Sequence, residues 1–194
     1  DSSRFHSPGA FKVVNPDGEN VGELQQEGCR VEIKSEGRSF TAAIGDIMLE
    51  QMERDPRIVA ATAAMPDGTG LTRALTKYPD RAFDTGICES HAFDMMAGLA
   101  KTGWKPFFAV YSTFLQRAFD QAFQEAALQG LPVRLLLDRA GLVGGDGAVH
   151  HGFCDVALLR TLPGAVLTAA IDEPSLRAAV EFLRLPVRIP VLAV

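Results

Sequence analysis

The chain has 194 residues, 47% hydrophobic and 22% charged, which suits one soluble globular domain plus a tail. Its net charge of −5 disfavours non-specific binding to nucleic acid or to an anionic membrane, since neither gains from an acidic surface. Cys29, Cys88 and Cys154 are an odd number at wide spacings, no signal peptide is recognisable, and no apolar run nears the roughly 20 residues of a membrane span. A reducing compartment is therefore expected, the cytoplasm or, for a plant source, the plastid.

Residues 1–38 carry turn signals, Ser7-Pro-Gly9 and Asn15-Pro-Asp-Gly18, without a sustained helical period, and read as a linker or arm. One alternating piece, CRVEIKSEG at 29–37, predicts a short exposed strand. From 39 to 194 the pattern predicts one domain in which helices and apolar strands alternate. A helix is expected over 40–55, a strand over 57–65, a helix over 71–80 and a strand over 82–87. A helix over 90–103, a strand over 106–113 and a helix over 115–130 follow. Leu115, Ala118, Phe119, Ala122, Phe123 and Ala126 give that last helix the clearest apolar stripe in the chain. The remainder reads as a strand over 132–140, a helix over 151–163, a strand over 165–171, a helix over 172–185 and a strand over 187–194. Asp172 is the expected N-cap of the helix that follows it, with Pro174 in its first turn.

Continuous apolar strands alternating with helices predict a doubly wound, mainly parallel α/β sheet covered on both faces. Ligands of such sheets gather at the carboxyl ends of the strands. The polar residues collect there: Met65-Pro-Asp-Gly-Thr-Gly70, Glu89, Tyr111-Ser-Thr113, Asp138-Arg139 and the loop to His150. A chain that stops within a strand is expected to be a piece of a longer polypeptide.

Glu89 is a lone acid in FDTGICESHAFDMMAGLA, where a strand gives way to a helix. A carboxylate at a helix start needs no function, since the helix dipole favours it. Against that, Ile87, Cys88, Ala92, Phe93 and Met95 leave it little water, and a carboxyl group so shielded is suited to giving and taking a proton from a nitrogen heterocycle. Arg117 is expected in the first turn of the 115–130 helix, where the dipole disfavours a cation. It reads either as a surface partner of Asp120 or as part of an anion site at the helix start.

GLVGGDGAVHHG at 141–152 lacks the strand–glycine–helix context of a dinucleotide fingerprint. It also lacks the later Asn that a magnesium–diphosphate motif beginning Gly-Asp-Gly needs. A flexible loop and an ordered loop placing Asp146 and His150 over a ligand both remain open. Cys88-x-x-His91 and His150-His151-x-x-Cys154 do not match a common zinc spacing, and no metal site is expected in this chain.

TAAMPDGTGL, FDTGICESHAFDMMAGLA, YSTFLQRAFDQ, LPVRLLLDRAGLVGGDGAVHHG and the DEPSLR helix together closely resemble the central domain of the 1-deoxy-D-xylulose 5-phosphate synthase family. That is the pyrimidine-binding domain of a thiamine diphosphate enzyme of the transketolase-like superfamily, and the resemblance runs over residues 40–194. It implies that Glu89 is the acid that hydrogen-bonds the cofactor's aminopyrimidine and promotes loss of the thiazolium C2 proton. It implies that Phe114 stacks on the pyrimidine and that Ile87 supports the bent cofactor. Tyr111 and Arg117 match residues around an acceptor's phosphate, and Asp146 and His150 match polar residues near the reacting carbons. His150 is carried over with Glu89 as catalytic. The chain departs from the family at Ser90, where Gln is usual, and at Ala148-Val149-His150-His151, where Pro-Thr-His-Gln is typical. The implied reaction condenses pyruvate with glyceraldehyde 3-phosphate, losing carbon dioxide, for isoprenoid and thiamine precursor synthesis. Diphosphate- and Mg²⁺-binding residues are expected in a preceding domain, a further domain is expected to follow, and the assembly is expected to be a homodimer. No nucleic acid or membrane partner is expected. Another transketolase-type component, or a non-catalytic interaction module with this fold, are the alternatives.

Overall fold

The computed structural model describes residues 11–19, 30–33, 38–143, 146–185 and 189–193. Within the expected arm, β1 (Phe11–Val14) and β2 (Arg30–Ile33) pair antiparallel, with Phe11 opposite Ile33. The strand expected over 29–37 is thus present as β2, and its partner β1 carried no recognisable signal.

Beyond the arm, β3 (Ile58–Thr62), β4 (Ala82–Asp84), β5 (Lys105–Tyr111), β6 (Arg134–Asp138), β7 (Ala165–Ala169) and β8 (Ile189–Ala193) form one sheet. Its order is β4-β3-β5-β6-β8-β7, and every pairing is parallel. The strands are apolar on both faces, and both faces are covered. Val59, Ala61, Phe108, Val110, Leu135 and Leu137 pack with α3 (Glu89–Lys101) and the helical stretch after β5. Ile58, Ala60, Phe107, Ala109 and Leu136 alternate with them and pack beneath α1 (Phe40–Arg54), α2 (Thr72–Lys77) and the last helix. This is the doubly wound α/β sheet that the alternation predicts.

Two helices start where side chains cap them. Ser39 accepts from the backbone N–H of Ala42 at 3.2 Å to open α1. Asp172 and Ser175 form a reciprocal capping box at the start of the last helix, Glu173–Leu183, with Pro174 in its first turn.

The stretch expected as one helix over 115–130 is not one. It begins three residues earlier, as α4 (Ser112–Leu115), and continues as a 3-10 turn (Gln116–Ala118), α5 (Phe119–Gln121) and a π-helical stretch (Ala122–Ala127). An apolar stripe at three- and four-residue intervals serves all three helical forms, so periodicity cannot separate them. The helix expected over 151–163 shrinks to α6 (Asp155–Leu159), and the helix Glu173–Leu183 is α7. His151 and Gly152 lie in the preceding loop, whose base is an exchange of backbone bonds between Gly141 and Gly152 at 2.8 and 3.1 Å. Among the described residues, no helix is long and apolar enough to cross a membrane.

Candidate functional site

The chain runs from β3 outward to the edge strand β4 and then back across β3 to β5. That reversal opens a crevice at the carboxyl ends of β3 and β5, where doubly wound sheets bind ligands. A cavity of about 260 Å³ lies there. Ala63, Ala64 and Met65 follow β3, Ile87 and Glu89 follow β4, and Phe114 and Arg117 follow β5; together they line it.

Glu89 is the first residue of α3, and only 3% of its surface is exposed. The residues expected to bury it behave differently from one another: Ala92 and Phe93 are core, whereas Ile87 and Cys88 are exposed. Ile87 stands 75% exposed on the rim of the cavity. An apolar side chain held open at a cavity mouth is a ready contact for an apolar ring.

Arg117 departs from both of its expected settings. Because the helical stretch begins at Ser112, Arg117 lies in the 3-10 turn rather than in a first turn. Its partner is Glu89 rather than Asp120: Nη1 donates to Oε1 at 2.5 Å. The guanidinium carbon also lies 4.7 Å from the centre of the Phe114 ring, within cation–π range.

Phe114 joins this cavity to a second group of side chains. Its ring stacks on Tyr111, centroids 5.8 Å apart and planes 9° from parallel. His150 meets Phe114 edge-on at 5.4 Å and Tyr111 at 6.2 Å. The His150 Nδ1 lies 2.7 Å from the carbonyl of Asp146, and Thr113 donates to the carbonyl of Val149 at 3.3 Å. The end of the glycine-rich loop at residues 146–150 is therefore tied to the aromatic pair and to α4.

The sequence places Arg139 among the polar residues of the carboxyl edge without giving it a role, yet it organises this half of the site. It is 9% exposed and lies over the Tyr111 ring at 4.1 Å. Its Nη1 donates to Asp138 at 2.9 Å and to the Gly68 carbonyl at 2.5 Å, and its Nε donates to Asp146 at 3.2 Å. Burial is the largest single effect and disfavours its charge, but Asp138, Tyr111 and Asp146 together outweigh it and hold the guanidinium above its usual range. Burial pushes the Tyr111 phenol up as well. Arg139 and Ala64 are the two described non-glycine residues with positive φ, 60° and 61°. Each directly follows or nearly follows a strand, where strain of order 1–3 kcal/mol per residue is often tolerated at working sites. Asp84 secures the second bend by accepting from the Ala64 N–H at 2.7 Å. A signal for Arg139 was present in the sequence, a cation directly after the five-residue buried strand β6.

The residues picked from the sequence thus assemble in two connected groups. Glu89, Ile87, Phe114 and Arg117 surround the cavity, while Tyr111, His150 and Asp146 sit beside it, the last through Arg139. A mostly apolar cavity with one carboxylate, its guanidinium partner and one aromatic wall suits a flat, nitrogen-bearing ring of pyrimidine size, so the residues present fit an aminopyrimidine.

Comparison with known proteins bears on the family and the fold. Residues 36–187 match the family described as transketolase, pyrimidine binding domain. A split-gene transketolase, solved as an inactive beta4 tetramer, is 28% identical with a TM-score of 0.67, covering 78% of this chain and 48% of that one. A transketolase from Leishmania mexicana superposes with a TM-score of 0.71 at 20% identity, covering 79% of this chain and 24% of that one. For a transketolase from Campylobacter jejuni the TM-score is 0.71 at 16% identity, with 79% and 25% covered. The chain spans about half the length of the first of these proteins and about a quarter of the other two.

Proposed function

This chain belongs to the transketolase pyrimidine-binding domain family, and we propose that it is the pyrimidine-binding part of a thiamine diphosphate-dependent synthase. The proposed reaction joins pyruvate to glyceraldehyde 3-phosphate, giving 1-deoxy-D-xylulose 5-phosphate and carbon dioxide. The observation that carries the reading is Glu89, a buried carboxylate facing a cavity of ring size that Phe114 also walls. The synthase assignment within the family rests on the stretches YSTFLQRA and DRAGLVG.

Thiamine diphosphate, when bound, supplies the carbanion chemistry at its thiazolium ring. This chain's residues do the rest of what is proposed here. Glu89 holds one proton at the pyrimidine nitrogen. Phe114 and Ile87 orient the ring. His150 and Asp146 bring polar groups from the glycine loop to the reacting carbons, and Tyr111 and Arg117 face the phosphate end of the acceptor. Mg²⁺ and the diphosphate would be held by a diphosphate-binding domain, with a further domain and a second copy completing the enzyme. A second reading, a transketolase component acting on other sugar phosphates, is favoured by the 28% identity to a split-gene transketolase.

Product analysis by NMR separates the two. The complete protein, supplied with thiamine diphosphate and Mg²⁺, is given either pyruvate with glyceraldehyde 3-phosphate or xylulose 5-phosphate with ribose 5-phosphate. One carbon dioxide per five-carbon deoxysugar supports the synthase; two-carbon transfer between sugars without carbon dioxide supports the transketolase reading instead.

A further inference from the structure

Resting on that reading, we propose that Arg117 is an internal stand-in for the aminopyrimidine, and that the incoming ring must displace it. The guanidinium is planar and cationic and presents N–H donors on its edge and a flat face for stacking. Both features are in use, the edge on Glu89 at 2.5 Å and the face on Phe114 at 4.7 Å. Those are the carboxylate and the aromatic wall that a pyrimidine in this cavity would need. All three side chains line the same 260 Å³, so a ring between Glu89 and Phe114 takes the guanidinium's place.

The energetics favour exchange over addition. A carboxylate as buried as Glu89 is costly without a partner, and Arg117 supplies one. Glu89 is fixed in the first turn of α3, whereas the Arg117 side chain is 53% exposed and can swing outward. Its departure leaves the carboxylate to the ring and places a cation at the mouth of the site, facing a phosphorylated acceptor. Ring binding and the acceptor's anion contact are thereby coupled through one side chain, with the cofactor entering before the acceptor.

Removing the stand-in should make ring binding tighter. An ion pair with one half-exposed partner is a modest competitor, so Arg117→Ala and Arg117→Gln should each lower the Kd for thiamine diphosphate roughly two- to fivefold. Calorimetric titration of the complete protein with thiamine diphosphate at saturating Mg²⁺ measures this without any turnover. Phe114→Leu, which keeps the apolar volume but loses the flat wall, serves as the control and should weaken binding. Tighter binding in both arginine variants with weaker binding in Phe114→Leu supports the exchange. Unchanged or weaker binding in the arginine variants, with Phe114→Leu still weakened, overturns the exchange and leaves the pyrimidine site standing. An unaffected Phe114→Leu overturns the site reading and the exchange together.

Discussion

A single carboxylate, Glu89, carries most of the chemistry proposed for this chain, and its setting makes a sharp test possible. Glu89→Gln keeps the shape and one hydrogen-bond acceptor but has no proton to share. In the complete protein, exchange of the cofactor's C2 proton, followed by NMR, should slow by roughly 10²–10⁴-fold, the usual contribution of a positioned acid or base. Cofactor affinity should change far less. An unchanged exchange rate would remove Glu89 from the reaction. Glu89 was legible in the sequence because an acid in an apolar run asks for an explanation. Its partner was not, because Arg117 lies 28 positions away and reaches it only after α3 and β5 bring the chain back across the sheet. Local spacing offered Asp120 instead, at helical distance, and tertiary contact prevailed over it.

At the level of elements, what was readable is what side chains encode. The six sheet strands and the helices α1 and α7 carry apolar patterns and capping residues, and the structure has them close to where the sequence places them. The α, 3-10 and π succession over 112–127 differs from a plain helix only in backbone bonding. The closure of the glycine loop is also written in backbone bonds, between Gly141 and Gly152, which leave no side-chain signature. Gly152 is required there for space: a Cβ would lie 2.4 Å from Ser112 Oγ and 2.6 Å from the carbonyl of Arg139. Gly152→Ala must therefore push apart the loop base, α4 and the bend that holds Arg139. It should lower unfolding stability by about 1–3 kcal/mol, read as a shifted urea midpoint at constant slope. Cleavage by protease within 142–151 should become faster. An unshifted midpoint would mean that the loop base is not packed as described.

Across the whole molecule, the two ends of the sheet do different work. The carboxyl end holds the cavity, the two described non-glycine residues of positive φ, Ala64 and Arg139, and the glycine loop. The amino end is fastened by ion pairs and by arginines donating to backbone carbonyls. Arg134, which starts β6, is 2% exposed and donates to the carbonyls of Leu183 and Pro132, both at 2.7 Å; burial lowers its pKa to about 10. Arg81 bonds the carbonyls of Met52 and Ile58, both at 3.1 Å. Asp55, at the end of α1, accepts from Lys105 Nζ at 2.6 Å where β5 begins. The Lys105 hydrogen bond outweighs the opposing effect of burial and holds the Asp55 carboxyl down at about 2, below its ordinary 3.8. A carboxyl whose pKa is depressed by folding contributes stability above its unfolded pKa and loses it as pH falls through the folded one. The contribution of Asp55 should therefore be complete near pH 5 and fade between about pH 4 and pH 2. Asp55→Asn isolates it from the other carboxylates. At pH 6 the variant should be less stable by on the order of 1–2 kcal/mol, somewhat less than the full shift implies because Lys105 touches solvent. By pH 2 most of the difference should be gone. Denaturant unfolding of both across this range provides the measurement, and a difference that stays constant from pH 6 to pH 2 would show that the Asp55–Lys105 pair does not hold the amino end of the sheet.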